Sequence, residues 1–305
     1  MRRSRIQWID IAKAIAIILM VLGHSRIPNS LHNFIYSFHM PLFFFLSGWT
    51  TSWEKDSIIA FIYKKINSLI IPFILYSIVV ILILPNIDKS VTLGSFICNG
   101  WQGYALWFIP VLFLSTIVYK LICAIKNMGI KIAVLLIFIL TGCALSYYDI
   151  LLPWSLSSVP FAVLCVAIGH YIKRYDLYIE NFNCWYYIIF MMLSFFISQK
   201  CHLDLAFNQI LPITLILIAA LAGTFFIFCI SSYISSKIRF LSVILQTIGR
   251  ETYVIVAFSQ LIILQLNHIA DFNVLVKYIC LVLILIILVL IKNCFKRFIS
   301  WIYKL

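Results

Sequence analysis

Four ionisable side chains fall inside the first two apolar stretches of the chain: Asp10, Lys13, His24 and His39. An ionisable group inside a membrane costs several kcal/mol unless it is paired or hydrated, so each of these residues suggests a function. Lys13 and His24 are eleven residues apart, which places them on one helical face about 16 Å apart along the axis. Histidines in such surroundings are expected to be neutral, and a neutral imidazole can accept a proton. We therefore predict a polar stripe across the membrane that supports proton transfer.

Two contacts follow from the spacing of these residues. Asp10 and Lys13 are three residues apart and can pair on one face of a helix. His39 precedes Pro41 and the apolar run LFFFL, and it can meet His24 from the adjacent helix in one cavity. Simpler interpretations remain open, because Lys13 could extend to the lipid headgroups and His24 could be an interfacial histidine.

Other candidate residues lie further along the chain. Lys64 and Lys65 precede the third apolar stretch, where they either mark a cytoplasmic helix end or hold a phosphorylated ligand as point charges. Trp107, in the segment ALWFIP, is either an interfacial residue or the wall of a pocket. The nine cysteines show no CxxC spacing, so we expect no metal site.

The elements that must position these residues are membrane helices. Of the 305 residues, 64% are hydrophobic and only 11% are charged, and the mean hydropathy is +1.08. A soluble core cannot bury this much apolar surface, so lipid must be the solvent for much of the chain. We predict one all-α integral membrane domain over residues 1–305. Ten apolar stretches are candidate spans, of which the sixth and seventh are short: residues 7–25, 34–51, 66–85, 105–124, 130–147, 158–172, 184–199, 209–231, 248–267 and 274–291.

The distribution of basic residues supports this topology. With the N-terminus in the cytoplasm, 18 of the 23 Lys and Arg residues fall in cytoplasmic segments and four fall outside, while Lys13 lies in a span. The positive-inside rule predicts such a bias when the spans are correctly placed. We therefore expect both termini in the cytoplasm. The net charge of +13 then reflects topology and contact with anionic lipid rather than nucleic-acid binding.

Several segments carry a resemblance to a known family. The run IDIAK at residues 9–13, with a basic residue, ten intervening residues and then His24, resembles the first helix of the acyltransferase family 3 membrane proteins. The segment FHMPLFFFLSG at 38–48 resembles the second helix of that family. The segments KKINSLIIPFILYS at 64–77 and LWFIP at 106–110 are similar to its third and fourth helices. Within the family, the chain looks closest to the fucose-4-O-acetylase-like and polysaccharide O-acyltransferase branch.

The resemblance implies an O-acyltransferase of the inner (plasma) membrane that moves acetyl, or succinyl, from cytoplasmic acyl-CoA to a carbohydrate hydroxyl. His24 would act as general base or as a transient acyl carrier, and His39 would orient it or stabilise the oxyanion. Asp10 would hold Lys13 in place. The cofactor-binding residues would be Lys13, Lys64, Lys65 and Trp107.

The chain departs from the family pattern at three positions. Many members have arginine where Lys13 stands, and many have a second arginine where this chain has Ser68. Members often place a histidine late in the ninth span, whereas this chain has Ser259 and Gln260 there.

Two other classes of protein remain open at this stage. A transporter or flippase for a lipid-linked glycan would also have many spans and buried ionisable groups. It should line more helices with polar groups than this sequence does in its fifth to eighth spans. A non-catalytic assembly or sensor protein would tolerate changes at both Lys13 and His24. The sequence leaves the oligomeric state undetermined.

Overall fold

The chain folds into an α-helical bundle. The computed structural model describes residues 6–25, 27–86, 88–101, 104–174, 184–269 and 273–302. The helices are α1 (Gln7–Gly23), α2 (Asn29–Thr50), α3 (Ile58–Lys65), α4 (Ile71–Ile83), α5 (Leu93–Asn99), α6 (Phe108–Ala124), α7 (Met128–Tyr147), α8 (Val159–Arg174), α9 (Cys184–Ser198), α10 (Ile213–Lys237), α11 (Arg239–Arg250), α12 (Thr252–Ile269) and α13 (Val274–Ile302). The all-α class predicted from the sequence is confirmed.

Seven helical segments of the described chain are long and apolar enough to cross a membrane. They are Ile58–Asn86, Ala105–Ala124, Met128–Tyr147, Pro153–Arg174, Ile213–Lys237, Thr252–Ile269 and Val276–Cys294. Helices also occupy the other three predicted positions, as α1, α2 and the short apolar α9. The chain is therefore a multi-pass helical membrane protein, while the total of ten spans and the orientation of the termini stay predictions.

Two boundaries differ from those predicted. The third span begins at Ile58 rather than near 66, because a π-helical turn at Ile66–Ile70 joins α3 to α4 without a break. The predicted 248–267 helix begins at Thr252, because the backbone leaves the helical path at Glu251 and separates it from α11. Neither the π-helical turn nor the break at Glu251 changes the hydropathy of the sequence, so hydropathy could not locate these two boundaries.

Local sequence signals set several helix starts. The Ser57 side chain accepts a hydrogen bond from Ala60 N at the start of α3, and the Asn127 side chain accepts one from Ile130 N at the start of α7. Pro28 and Pro212 immediately precede α2 and α10, where a residue without an N–H removes no helical hydrogen bond.

Helix α1, which carries Asp10 and Lys13, lies inside the bundle. Ile11, Ala14 and Ile17 are fully buried, and α1 packs against α2, α10, α11 and α12. By contrast, α7 and α13 are almost entirely unburied, because only 6% of the membrane-spanning window of each helix is buried inside the bundle. These apolar helices therefore face lipid, and α1 carries Asp10 and Lys13 in surroundings made of protein.

Glycines allow α2 and α8 to touch backbone to backbone. A Cβ added to Gly48 of α2 would overlap the carbonyl oxygen of Val166, and one added to Gly169 of α8 would overlap the carbonyl oxygen of Phe45. Small residues at such contacts let helices approach closely within a membrane. This contact fixes the helix that carries His39.

We predict that Gly169→Ala destabilises the protein, because the added methyl group must push α8 away from α2. Overpacking of this kind typically costs about 1–3 kcal/mol. The melting temperature of the purified protein in detergent should fall measurably below that of Gly94→Ala, a control whose nearest neighbour leaves room for a methyl group. Equal melting temperatures for the two variants would show that the backbone contact is not tight.

Candidate active site

A cavity of about 150 Å³ opens near one end of the bundle and reaches the middle of α2. The end of α1, the first half of α2, the turn before α6 and the segment 203–207 form its walls. Its polar and aromatic lining residues are His24, Tyr36, His39, Tyr104, Trp107, Asp204 and Phe207. The structure thus brings together three residues that the sequence selected, namely His24, His39 and Trp107. We call this space the histidine cavity.

His39 has a defined protonation pattern. Its side chain is buried at 4% exposure, and Nδ1 lies 2.9 Å from the carbonyl oxygen of Ile35, one turn earlier in α2. A carbonyl oxygen only accepts hydrogen bonds, so Nδ1 of His39 carries the proton. The neutral ring then bears its lone pair on Nε2. His39 is therefore held ready to accept a proton at Nε2.

His24 caps the end of α1 and shares the cavity with His39. Its ring meets the edge of Tyr36 at a centroid separation of 6.4 Å. Within the described part of the chain, the His24 imidazole makes no hydrogen bond to another protein group. Both ring nitrogens are thus available to a bound molecule.

Tyr36 is the centre of a larger aromatic cluster. Its ring stacks on His32 at 3.9 Å and lies 4.9 Å from His39 and 6.5 Å from His202. Four of the six histidines in the chain therefore surround one tyrosine. Of these four histidines, His32 and His202 were not predicted, although His32, Tyr36 and His39 have the i, i+4 and i, i+3 spacing of one helical face.

The segment between α9 and α10 closes one side of the cavity. Asp204 pairs with Gln209 through an isolated β-bridge, and its side chain accepts a hydrogen bond of 2.9 Å from Ala206 N. Burial raises the pKa of the Asp204 carboxyl above its usual range. Nδ1 of the nearby His202 ring lies 3.3 Å from Oδ1 of Asn33 in α2. Only the tertiary fold brings this segment to α2, so periodicity did not predict it.

Gln260 fixes the opposite wall. Its Oε1 accepts a hydrogen bond of 2.7 Å from the backbone N–H of Ala105, the first residue of the 3₁₀ turn Ala105–Trp107. That turn places Trp107, which is buried at 7% exposure, in the lining of the cavity. The pocket-wall interpretation of Trp107 is therefore supported over the interfacial one. Gln260 therefore positions this turn through its hydrogen bond to the Ala105 N–H.

Asp10 and Lys13 lie away from this cavity. Asp10 is 14 residues before His24 on the same helix, about 21 Å along the axis. Its carboxylate lies 3.7 Å from Nε of Arg250, a residue that the sequence analysis did not select. A Cβ on Gly249 would overlap the Asp10 carbonyl oxygen, so α1 and α11 are in backbone contact here. Asp10 therefore ties α1 to α11 and does not line the histidine cavity.

The two lysines of α3 also lie outside the cavity. Lys64 is exposed and its Nζ is 2.6 Å from Asp56, so its charge is already paired. Lys65 is half-buried, with Nζ 5.4 Å from the centroid of the Phe61 ring. Among the described residues no group of three or more His, Cys, Asp or Glu side chains could hold a metal ion.

These features describe a multi-pass helical membrane protein with two histidines that line one half-buried cavity. The model of acyltransferase family 3, described as an acyltransferase domain, matches residues 6–294. The chain therefore belongs to this family of membrane acyltransferases. Neither the search of curated proteins nor the search of solved structures returned a match.

We predict that Gln260→Leu loosens the turn that carries Trp107. The substitution leaves the Ala105 N–H without an acceptor, which typically costs about 1–3 kcal/mol. Both the melting temperature and the activity should fall. Gln265→Leu is the matched control, since Gln265 lies on the same helix and its Oε1 has no hydrogen-bond partner among the described residues. If both leucine variants behave alike, the Gln260 bond does not position the turn.

We predict that Asp204→Asn removes a pH dependence of stability. A raised carboxyl pKa means that the folded state favours the protonated form. The stabilisation is therefore complete below the usual aspartate pKa of about 3.9 and is lost as the pH rises to the raised value. The melting temperature of the wild type, relative to that of the Asn variant, should fall over this window. A relative melting temperature that rises with pH would contradict the buried setting of Asp204.

Proposed function

We propose that this protein is a membrane O-acyltransferase that moves an acetyl or succinyl group from cytoplasmic acyl-CoA to a hydroxyl of a cell-surface or lipid-linked polysaccharide. The proposal includes the plasma membrane as its location, both termini in the cytoplasm, and the fucose-4-O-acetylase-like branch of the family. Family membership supports acyl transfer in a membrane. The resemblance of the first four helices supports the choice of donor and acceptor, and the chemistry of the cavity is compatible with transfer between them.

The observation that carries the proposal is the fixed tautomer of His39 in a cavity shared with His24. Acyl transfer to a hydroxyl needs a base that removes the hydroxyl proton during attack. It also needs a donor group that stabilises the negative oxygen formed on the thioester carbon. Two neutral histidines on one wall can supply one function each.

We assign the role of base to His39, since its lone pair is held on Nε2. The acceptor oxygen attacks the thioester carbonyl carbon and forms the C–O bond while its proton passes to His39 Nε2. The C–S bond then breaks, and the protonated imidazole returns the proton to the departing thiolate of CoA. This assignment exchanges the roles that the sequence suggested for His24 and His39. A neutral His39 with its only proton committed to Ile35 cannot donate from Nε2 to an oxyanion.

His24 supplies the N–H that stabilises the oxyanion. Its nitrogens make no hydrogen bond to the described protein, so one can bind the carbonyl oxygen of the donor. The same freedom permits the alternative left open by the sequence, in which His24 carries the acyl group covalently.

The size of the cavity suits a small acyl group. Its volume of about 150 Å³ corresponds to roughly five water molecules at about 30 Å³ each. An acetyl or succinyl group and the attacking hydroxyl can fit in this space, with Trp107 as an apolar wall. The acceptor sugar itself would remain at the mouth of the cavity.

The transporter alternative has less support. The family match favours an enzyme, and a path for a large sugar would require polar linings on several helices. Here α7 and α13 are apolar and largely unburied, so they face lipid rather than a path through the bundle.

We predict that His39→Ala and His24→Ala each reduce acylation of the host polysaccharide at least about 100-fold, as expected for loss of acid–base or electrostatic catalysis. Polysaccharide O-acylation is measured by NMR, with the protein content of the membrane fraction as a check on folding. His268→Ala is the matched control, since His268 is exposed at the far end of α12. Normal acylation by either cavity variant at normal abundance would refute the assignment.

The covalent alternative is tested separately with the purified wild type. Incubation with acetyl-CoA and no acceptor, followed by mass spectrometry of peptides that contain His24, should show no added acetyl group. An acetyl group on His24 would replace direct transfer by a two-step route.

A further inference from the structure

A second, basic crevice lies at the opposite end of α2 and α6. Its volume is about 480 Å³, and it is formed by the segment 53–58 after α2, the end of α6, the start of α7 and the end of α8. Along α2, His39 and Thr50 are eleven residues apart, which corresponds to about 17 Å. The crevice and the histidine cavity are therefore separate sites at the two ends of the same helices.

Lys120 lies at the buried side of this crevice. The residue is only 7% exposed, its Nζ donates to the carbonyl oxygen of Trp53, and the same atom is 5.8 Å from the centroid of the Phe61 ring. No carboxylate among the described residues lies within ion-pair distance of this ammonium group. A buried cation with only neutral protein partners is costly, so its presence favours an anionic ligand.

The remaining charges of the crevice add to this positive potential. Lys131 and Arg174 line its walls together with two carboxylates, Glu54 and Asp56. Asp56 is already paired with Lys64, which does not line the crevice. Among the described residues, three lining cations therefore share the crevice with one lining carboxylate, Glu54, that has no ion pair.

The walls also carry hydrogen-bonding and aromatic groups. The Tyr119 hydroxyl lies 2.9 Å from Nδ1 of His170, and the Trp53 ring packs against Tyr119 edge to face at 4.7 Å. A site that combines basic groups with aromatic rings suits a phosphorylated ligand that has a planar ring, such as a nucleotide.

We propose that this crevice binds the phosphate groups of the acyl donor, with Lys120 as a buried point charge and Arg174 as a bidentate partner. The inference rests on the proposed function, because it takes acyl-CoA as the donor. It moves the phosphate site from Lys13, Lys64 and Lys65, which do not line the crevice, to residues that were not selected from the sequence. The pantetheine arm would then bridge a distance comparable with its extended length.

An aromatic layer separates the two sites. Phe43 and Phe44 of α2 pack against Phe108 of α6 with ring centroids 5.7 and 5.0 Å apart. These residues follow His39 on α2 and Trp107 on α6, so they lie on the crevice side of the histidine cavity. The donor arm must pass beside this layer.

The experiment measures binding to the purified full-length protein by ligand protection against heat. The ligands are acetyl-CoA, adenosine 3′,5′-bisphosphate, and nanodiscs with or without phosphatidylglycerol, and the variants are Lys120→Met and Arg174→Gln. Each variant should weaken half-maximal protection by acetyl-CoA and by the bisphosphate at least tenfold. Arg174 is exposed, so its variant should fold even if Lys120→Met does not. Lys126→Gln is the control, because Lys126 is exposed and outside the crevice.

The outcomes separate this inference from the proposed function. Unchanged protection of both variants by acetyl-CoA would overturn the crevice assignment and leave the proposed function intact. A wild type that acetyl-CoA fails to protect would contradict the proposed donor. Protection by phosphatidylglycerol alone, lost in Arg174→Gln, would overturn the donor assignment in favour of a lipid headgroup.

Discussion

The constraint on which the structure depends is that a polar side chain within the hydrocarbon region must be surrounded by protein. The bundle meets this constraint by placing α1 and α2 inside, while the apolar helices α7 and α13 lie outside. Because α1 and α2 do not face lipid, they can carry Asp10, Lys13 and His39. The close approach of α2 to α8 through Gly48 and Gly169 completes the shielding. Those glycines therefore help to position His39, although they do not line the histidine cavity.

The same constraint defines the chemistry of His39. A buried N–H needs a hydrogen-bond acceptor, and the His39 imidazole finds one a helical turn away, at the carbonyl oxygen of Ile35. The backbone of α2 thereby determines which nitrogen keeps the lone pair. On the other side of the cavity, Gln260 accepts a hydrogen bond from the Ala105 N–H and so holds the turn that carries Trp107. The first bond fixes the orientation of the His39 ring, and the second fixes the turn with Trp107 in the wall of the cavity.

Much of this arrangement could be predicted from the sequence, for identifiable reasons. Hydropathy located the helices, since lipid-facing segments must be apolar over about 20 residues. The rarity of ionisable residues in such segments selected His24 and His39, which the fold indeed brings into one cavity. The positions of the α3 and α12 boundaries could not be predicted, because a π turn and a single non-helical residue leave no hydropathy signal. Asp204 and His202 were missed because their approach to α2 is decided by packing between distant segments, and Lys120 because one lysine near a helix end resembles any other topology charge.

The aromatic layer between the two sites has an electrical consequence. A membrane potential acts on any charge that crosses it, at about 2.3 kcal/mol per elementary charge per 100 mV. If the phosphates remain in the basic crevice and only a neutral acyl group passes Phe43, Phe44 and Phe108, no net charge moves through the field. The proton that leaves the acceptor hydroxyl returns to the thiolate on the same side of the layer. For an acetyl group, transfer by the proposed mechanism is therefore electroneutral and its energetics are independent of the membrane voltage, whereas a succinyl group would carry one negative charge through the field.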